Sequence, residues 1–155
     1  MRASAGPGNV PGSLPVATRQ VEERSGMTIR RISSGPGLPA GFPFSLASEG
    51  SGTLYISGMP ALDSDGNFMP GTFEEEADRA WASVIAIAAA AGYSTDDFLY
   101  VQVLLGDIGN YSDINGWWRQ QFPDPAGAPA RLTFQAAALP FGAKIELQAV
   151  AARGR

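Results

Sequence analysis

Hydrophobic positions along the chain follow two periods, one typical of strands and one typical of helices. In six segments, apolar and polar residues alternate or apolar residues run together, and turn-forming residues such as Gly, Pro and Asp separate many of them. Short segments of this kind are typical of β-strands. The predicted strands lie within residues 28–33, 42–48, 53–58, 97–105, 129–135 and 139–151.

Two longer segments carry apolar residues at helical spacing. The first helix is predicted to begin at Thr72, an N-cap residue whose capping box Glu75 completes, and to end at Gly92. The glutamates at 74–76 are interpreted as a solvated first turn at the positive end of the helix dipole. The second helix is predicted at 111–122, where prolines end it. Helical spacing predicts the buried stripe of the first helix as Ala77, Trp81, Val84, Ile85 and Ala88.

The resulting order of elements is β-β-β-α-β-α-β-β. It predicts an α+β fold with a mixed sheet and two helices packed on one face. The last two strands are interpreted as joined by a turn, and the uncovered sheet face favours oligomerisation. Residues 1–26 are rich in Gly, Pro, Ala and Ser, so we predict a flexible N-terminal tail, with Met27 an alternative start, and one domain over 27–155.

Composition removes several classes of chemistry. The chain has 155 residues, no cysteine and no histidine, which argues against disulfides, thiolate nucleophiles, Cys/His zinc sites and Ser-His-Asp triads. A net charge of −4 is a poor match for nucleic acid, and no apolar run approaches membrane-spanning length. We therefore expect no nucleic-acid or membrane partner and a reducing, cytoplasmic location.

Two charged residues in the last two predicted strands are the strongest candidates for chemistry. The planar guanidinium of Arg131 suits a carboxylate, although a structural ion pair is the commoner role of such a residue. Glu146 shares a strand face with Lys144 and Gln148, as a solvent-facing residue would. Its functional alternative is a carboxylate that orients or deprotonates water. From the residues alone, both alternatives stay open for both side chains.

Other polar residues have equally simple structural explanations. Ser57, before Gly58 at a strand end, either donates to a substrate or caps the strand, and Asn115 in the second helix either contacts a ligand or a loop. The segment 63–67 lacks the glutamate that a calcium loop requires, so it predicts a turn. Nothing in the sequence indicates that Lys144 is desolvated, as a Schiff-base lysine requires.

Several of these segments, in their order and spacing, resemble the Rid family of reactive intermediate deaminases, also called endoribonuclease L-PSP proteins. The resemblance covers roughly residue 28 to the C-terminus. It is most specific in Pro129-Ala130-Arg131 and in the segment 139–146. The other segments that carry it are Leu54–Gly58, Ala90-Ala91-Gly92, Val101–Asp107, Ile114-Asn115 followed by aromatic residues and Phe122, and the continuation to Ala151.

The resemblance implies a chorismate-mutase-like fold, homotrimers, and active-site clefts between neighbouring subunits. It also implies hydrolysis of enamine and imine intermediates of the 2-aminoacrylate/2-iminopropionate type to a 2-keto acid and ammonia, without a metal or organic cofactor. By resemblance Arg131 would hold the substrate carboxylate and Glu146 would lie near the attacking water. Ser57 and Asn115 match polar positions of the cleft.

Two positions depart from the family pattern. The usual tyrosine before the first turn is Phe44 here, so its hydroxyl is missing and an apolar wall remains. The cysteine often found two residues after the arginine is Thr133. We count both as substrate-binding candidates of a divergent branch.

The leading hypothesis is therefore an imine/enamine deaminase with Arg131 and Glu146 as catalytic residues. One alternative is a non-catalytic trimer of the same fold that binds small carboxylates, which Phe44 favours. Another is a catabolic deaminase that acts on a different amine. A ribonuclease, known among some relatives, fits poorly with the acidic charge and the absence of histidine.

Overall fold

The computed structural model describes residues 17–24 and 27–153, and describes side chains from residue 28 onward. Seven strands and two helices make up this part of the chain, joined by turns and short 3-10 segments. In chain order they are β1 Ala17–Arg24, β2 Met27–Ser34, β3 Ala47–Gly50, β4 Thr53–Met59, α1 Phe73–Ala91, β5 Phe98–Leu105, α2 Tyr111–Gln121, β6 Ala130–Gln135 and β7 Ile145–Ala152.

The strands form one mixed sheet in the order β1-β2-β3-β4-β7-β5-β6. Only β5 and β6 run parallel, and every other neighbouring pair among the described strands is antiparallel. From β2 onward the predicted β-β-β-α-β-α-β-β order is confirmed. The last two strands, however, are not paired with each other, because β5 lies between β6 and β7. The sequence interpretation joined these two strands by a turn and did not assign their pairing.

The first strand lies inside the segment predicted as a tail. Residues 17–24 pair antiparallel with β2, for example Gln20 with Arg30 and Val21 with Ile29. Such an edge strand needs only backbone hydrogen bonds, and these eight residues contain neither Gly nor Pro. The tail prediction is therefore wrong for 17–24. Residues 1–16 lie outside the described residues, and a tail there stays a prediction.

The third strand begins later than its pattern predicted. The prediction was 42–48, but β3 is Ala47–Gly50, and residues 42–46 form the loop before it. Pro43 cannot donate a backbone hydrogen bond to a strand ladder, which explains why pairing starts after it. The prediction for β4 is confirmed, with one residue added at its end.

Helix α1 has the predicted ends. The Thr72 hydroxyl accepts a hydrogen bond from the Glu75 amide at 3.2 Å, and the Glu75 carboxylate accepts one from the Thr72 amide at 2.8 Å. Gly92 closes the helix in the left-handed conformation, at φ 85°. The predicted stripe is buried except for Ile85, which is 37% exposed, while Ile87 is buried. Ile85 therefore lies beyond the edge of the buried face.

The core lies between one face of the sheet and the helices. Helix α1 packs on β4 and β7, and Trp117 of α2 meets Trp81 of α1 edge to face at 5.9 Å. On the opposite sheet face large side chains stay exposed, among them Tyr55. The prediction of two helices on one face is confirmed. Among the described helices, none has the length and apolar character needed to cross a membrane.

Candidate active site

Arg131 lies on the edge strand β6, on the helix-covered face of the sheet. It pairs with Val101, a buried core residue, so the two side chains share that face. Its Nη2 donates to Asn115 Oδ1 at 2.6 Å, and its guanidinium carbon lies 5.0 Å from the centre of the Trp118 ring. Helix α2 thus fixes Arg131 through one hydrogen bond and one cation–π contact. A guanidinium has five N–H donors, so most remain available for an anion.

A shallow depression of about 400 Å³ opens beside Arg131. A second guanidinium, from Arg119, also lines it, together with the aromatic rings of Trp118 and Phe122. Two cations above apolar walls favour a small carboxylate with an apolar body. The two predicted site residues Arg131 and Asn115 therefore meet, in a setting that suits anion binding.

Thr133 follows Arg131 by two positions on the same face of β6, opposite Val103. Its Oγ1 is buried and has no hydrogen-bond partner among the described residues. A buried hydroxyl without a partner costs free energy, so this atom requires a reason. Thr133 is not among the residues that line the depression beside Arg131, so a role in binding stays a prediction.

Glu146 lies on the other side of the sheet. It pairs with Leu104 and alternates with Ile145 and Leu147, which are buried beneath the helices. It is half-buried in a pocket of about 260 Å³ whose other lining residues carry no charge. Burial raises the pKa of Glu146 above its ordinary value of 4.5, because desolvation disfavours the carboxylate. A carboxylate with a raised pKa is suited to proton transfer.

A β-bulge in β4 shapes this pocket. Ile56 pairs with Ala149 and Met59 with Leu147, so Ser57 and Gly58 together lie opposite one residue of β7. A Cβ atom at Gly58 would collide with Glu146 Oε1. The bulge therefore provides the space that the carboxylate occupies. The sequence pattern did not assign Gly58 a role, although a glycine within a strand pattern is the usual signal of such a close approach.

The predicted site residues Ser57 and Phe44 both lie near this pocket. The Ser57 hydroxyl donates to the Ser45 carbonyl at 2.8 Å, and its amide donates to the Leu46 carbonyl at 2.9 Å. Ser57 thus holds the loop that carries Phe44, and its hydroxyl proton is already engaged. Phe44 lines the Glu146 pocket with its ring, 48% exposed.

Glu76 corrects the interpretation of the first turn of α1 as solvated. It is 1% exposed, and its carboxylate accepts hydrogen bonds from the Lys144 amide at 2.8 Å, the Lys144 ammonium at 3.1 Å and the Gly71 amide at 3.2 Å. Glu76 therefore ties the start of β7, two residues before Glu146, to the start of α1. Glu76 lies four residues before the buried Ala80, so helical spacing places both on the same face of α1 and could have predicted its burial.

The structure thus gathers the predicted site residues into two groups. Arg131, Asn115 and Thr133 lie on the helix-covered face, which we call the arginine half-site. Glu146 and Phe44, with Ser57 behind them, lie on the other side, which we call the glutamate half-site. Arg131 and Glu146 open into separate cavities of one chain.

No cluster of three or more His, Cys, Asp or Glu side chains that could hold a metal ion occurs in the part of the chain that the structure describes. The sequence-based expectation of a cofactor-free site stays a prediction.

Comparison with known proteins places these features in context. The sequence profile of the family described as endoribonuclease L-PSP matches residues 38–153. The chain is 38% identical over 128 residues to the 2-iminobutanoate/2-iminopropanoate deaminase of Capra hircus, an alignment that spans 81% of this chain and 92% of the goat protein.

Solved structures share the fold. A putative endoribonuclease L-PSP from Entamoeba histolytica is 33% identical, with a TM-score of 0.70 over 79% of this chain and 97% of that one. RidA from an Antarctic Psychrobacter is 29% identical, with a TM-score of 0.69 over 76% of this chain and 94% of that one.

Proposed function

Because this chain belongs to the endoribonuclease L-PSP family, also called the Rid family, we propose that it hydrolyses reactive 2-imino acids and their enamine tautomers to 2-keto acids and ammonia. The observation that carries the proposal is the pair of half-sites: an arginine prepared for a carboxylate and a desolvated carboxylate prepared for water. These are the groups that hydrolysis of a 2-imino acid needs.

We propose further that the chain forms a homotrimer in which the arginine half-site of one subunit meets the glutamate half-site of the next. The two half-sites face opposite sides of the sheet, so a head-to-tail contact brings unlike halves together, and such contacts close into rings. The exposed apolar residues Tyr55, Leu132 and Phe134 supply surface for burial between subunits.

In the proposed reaction, Arg131 binds the substrate carboxylate and Asn115 holds the guanidinium in place. The substrate enters as the protonated imine. Glu146 accepts a proton from water as the water oxygen bonds to the imine carbon, and the C=N π electrons move to nitrogen, which gives a neutral carbinolamine. Glu146 then returns its proton to the amine nitrogen, the C–N bond breaks with its electron pair leaving on ammonia, and the carbinol hydroxyl gives its proton to solvent as the keto C=O bond forms. Thr133 shares the strand face of Arg131 and is kept as a further substrate-binding candidate.

Water is the co-reactant of this scheme, so it invokes no metal or organic cofactor. Phe44 contributes an apolar wall and no proton, which leaves Glu146 as the titratable group of its pocket. We also propose a cytoplasmic location, on the ground that a chain without cysteine has no need of an oxidising compartment.

The test is release of ammonia and pyruvate from freshly generated 2-aminoacrylate, measured above the spontaneous rate. The protein is expected to accelerate the release, and Arg131→Ala to lower kcat/KM by about 100-fold, since a charge-assisted, bidentate contact is lost. Arg131→Lys should recover part of the loss, because it keeps the charge without the planar fork. Equal activity of the wild-type protein and Arg131→Ala would contradict the proposal.

A second candidate function is non-catalytic binding of small carboxylates by the same assembly. The missing hydroxyl at Phe44 favours it, because Phe44 borders the pocket in which water would be positioned. Calorimetry with 2-ketobutyrate separates the two functions: binding without turnover of any imine would support the second.

A further inference from the structure

We propose that the pocket beside Glu146 selects 2-imino acids with large apolar side chains, and aromatic ones above all. This inference rests on the proposed function and adds the substrate class. The pocket would receive the substrate side chain, while the arginine half-site holds the carboxylate.

The pocket beside Glu146 has an apolar lining. Apart from Glu146, every residue around this cavity of about 260 Å³ is uncharged, and the walls are formed by Phe42, Phe44, Met59, Leu62, Pro140 and Phe141. At about 30 Å³ per water molecule, the cavity has room for roughly nine waters, enough for a phenyl-sized group. A polar substrate side chain would lose its hydration here without gaining partners.

Three aromatic rings of the pocket wall take part in stacked pairs. Phe42 and Phe44 stack on each other with ring centres 5.2 Å apart and planes 18° apart. Phe141 stacks on Phe68, outside the wall, at 5.5 Å and 14°. Ring faces of this kind are suitable contacts for another aromatic or apolar group, and offset stacking adds to the gain from burial.

Phe141 is held in an unusual conformation. Its φ is 62° and its ψ is 9°, which is the left-handed region that glycine adopts without strain. Its side chain is also 62% exposed, so burial within the chain does not compensate the strain. Strained residues cluster at binding and catalytic sites. A phenylalanine at this position therefore indicates that the ring itself has a role at the pocket.

The test compares imines generated in situ by an L-amino acid oxidase from phenylalanine, leucine and alanine. Their hydrolysis is followed as the decrease in imine trapped by semicarbazide. The wild-type protein is expected to show a kcat/KM about tenfold or more higher for the phenylalanine-derived imine than for the alanine-derived one. This range follows from the roughly 10- to 200-fold discrimination typical of one methylene in an apolar pocket.

Phe141→Ala should reduce that preference about tenfold, because the phenylalanine-derived imine loses its ring contact while the alanine-derived imine has no ring to lose. Ile85→Ala is the matched control, because it removes an exposed apolar side chain from the outer edge of α1 and should leave the preference unchanged. Phe141→Leu serves as a second variant if Phe141→Ala alters assembly, which gel filtration monitors, and it should lower the preference for the aromatic substrate specifically.

The two proposals fail in different ways. Hydrolysis of the alanine-derived imine at least as efficiently as the others would overturn the selectivity and leave the proposed function standing. The selectivity is overturned in the same way if Phe141→Ala and Phe141→Leu change only the oligomeric state and not the preference, since the ring would then be an interface residue. Absence of activity on all three imines would overturn the proposed function and the selectivity with it.

Discussion

The arginine and glutamate half-sites differ in almost every physical respect. Arg131 is held by a hydrogen bond to Asn115 and by the Trp118 ring, in a depression lined by a second cation. Glu146 lies in an apolar pocket among uncharged residues, where burial raises its pKa. The arginine half-site is thus suited to binding an anion, and the glutamate half-site is suited to proton transfer.

Within one chain the fold keeps Arg131 and Glu146 apart. An arginine and a carboxylate in one cavity form an ion pair, which would lower the carboxyl pKa and occupy the guanidinium. The sheet prevents this within one chain, because Arg131 points to one face and Glu146 to the other. Within one chain the two groups therefore do not pair, and the complete site that we propose takes its two halves from neighbouring chains.

Removing the proton acceptor of the glutamate half-site should abolish most of the activity. Glu146→Gln keeps the shape and removes the carboxylate, so kcat should fall by about 10²- to 10⁴-fold. Binding of a 2-keto acid, measured by calorimetry, should change little, because the arginine half-site is intact. Glu74→Gln, an exposed glutamate of α1, is the charge-matched control. A Glu146→Gln variant with wild-type kcat would show that the pocket does no proton transfer.

The buried Glu76 supports the glutamate half-site from behind, and its removal should affect stability. Glu76→Ala leaves the amides of Gly71 and Lys144 without their acceptor, so we expect a loss of about 2–4 kcal/mol in the free energy of unfolding. Urea denaturation measures the loss. Glu74→Ala should stay within about 0.5 kcal/mol. Equal free energies of unfolding for Glu76→Ala and Glu74→Ala would show that the hydrogen bonds of Glu76 do not stabilise the fold.

A smaller effect is expected from filling the space beside Glu146. In Gly58→Ala the new Cβ displaces the Glu146 carboxylate, so kcat should fall about tenfold, while stability changes little because a flexible side chain can move. Gly116→Ala is the control, since a Cβ there meets nothing within 4 Å. Unaltered kinetics in Gly58→Ala would mean that the position of the carboxylate is not critical.

The smallest effect is a displaced acid limb in the pH profile of kcat/KM. Glu146 acts as a base only when ionised, so activity should fall as the pH drops through its pKa. Because burial raises that pKa, the limb should lie above 4.5, the ordinary value. The residual rate of Glu146→Gln should lack the limb. An acid limb at or below 4.5 in the wild-type protein would argue that the pocket is not desolvated.

Local features of the fold were predictable because their signals are local. The capping box of Thr72 and Glu75 and the left-handed Gly92 fix both ends of α1 by contacts within a few residues. The separation of β6 and β7 was not predictable in this way. It depends on β5 inserting between them, a pairing between residues about 40 positions apart, such as Leu104 and Glu146.

Candidate site residues could be named from the sequence, and their roles stay predictions, but their arrangement in space could not be predicted. Arg131 and Asn115 do meet, and Phe44 does border Glu146. The spacing of residues along a strand does not say on which face of the sheet each side chain lies. The division into two half-sites therefore became visible only from the strand pairing in the structure. The burial of Glu76 was not predicted, because a glutamate in the first turn of a helix is normally solvated. Only the tertiary contact with Lys144 shows that this one is buried.

If each site is shared between two chains, as we propose, mixing two inactive variants should restore activity. Arg131→Ala and Glu146→Gln are each expected to be nearly inactive, so the two variants are unfolded together in equal amounts, refolded, and assayed with 2-aminoacrylate. In random mixed oligomers about a quarter of the clefts combine an intact Arg131 with an intact Glu146, and about a quarter of the wild-type activity should return. Activity no higher than that of the separate variants would show that the two residues do not act in one shared cleft.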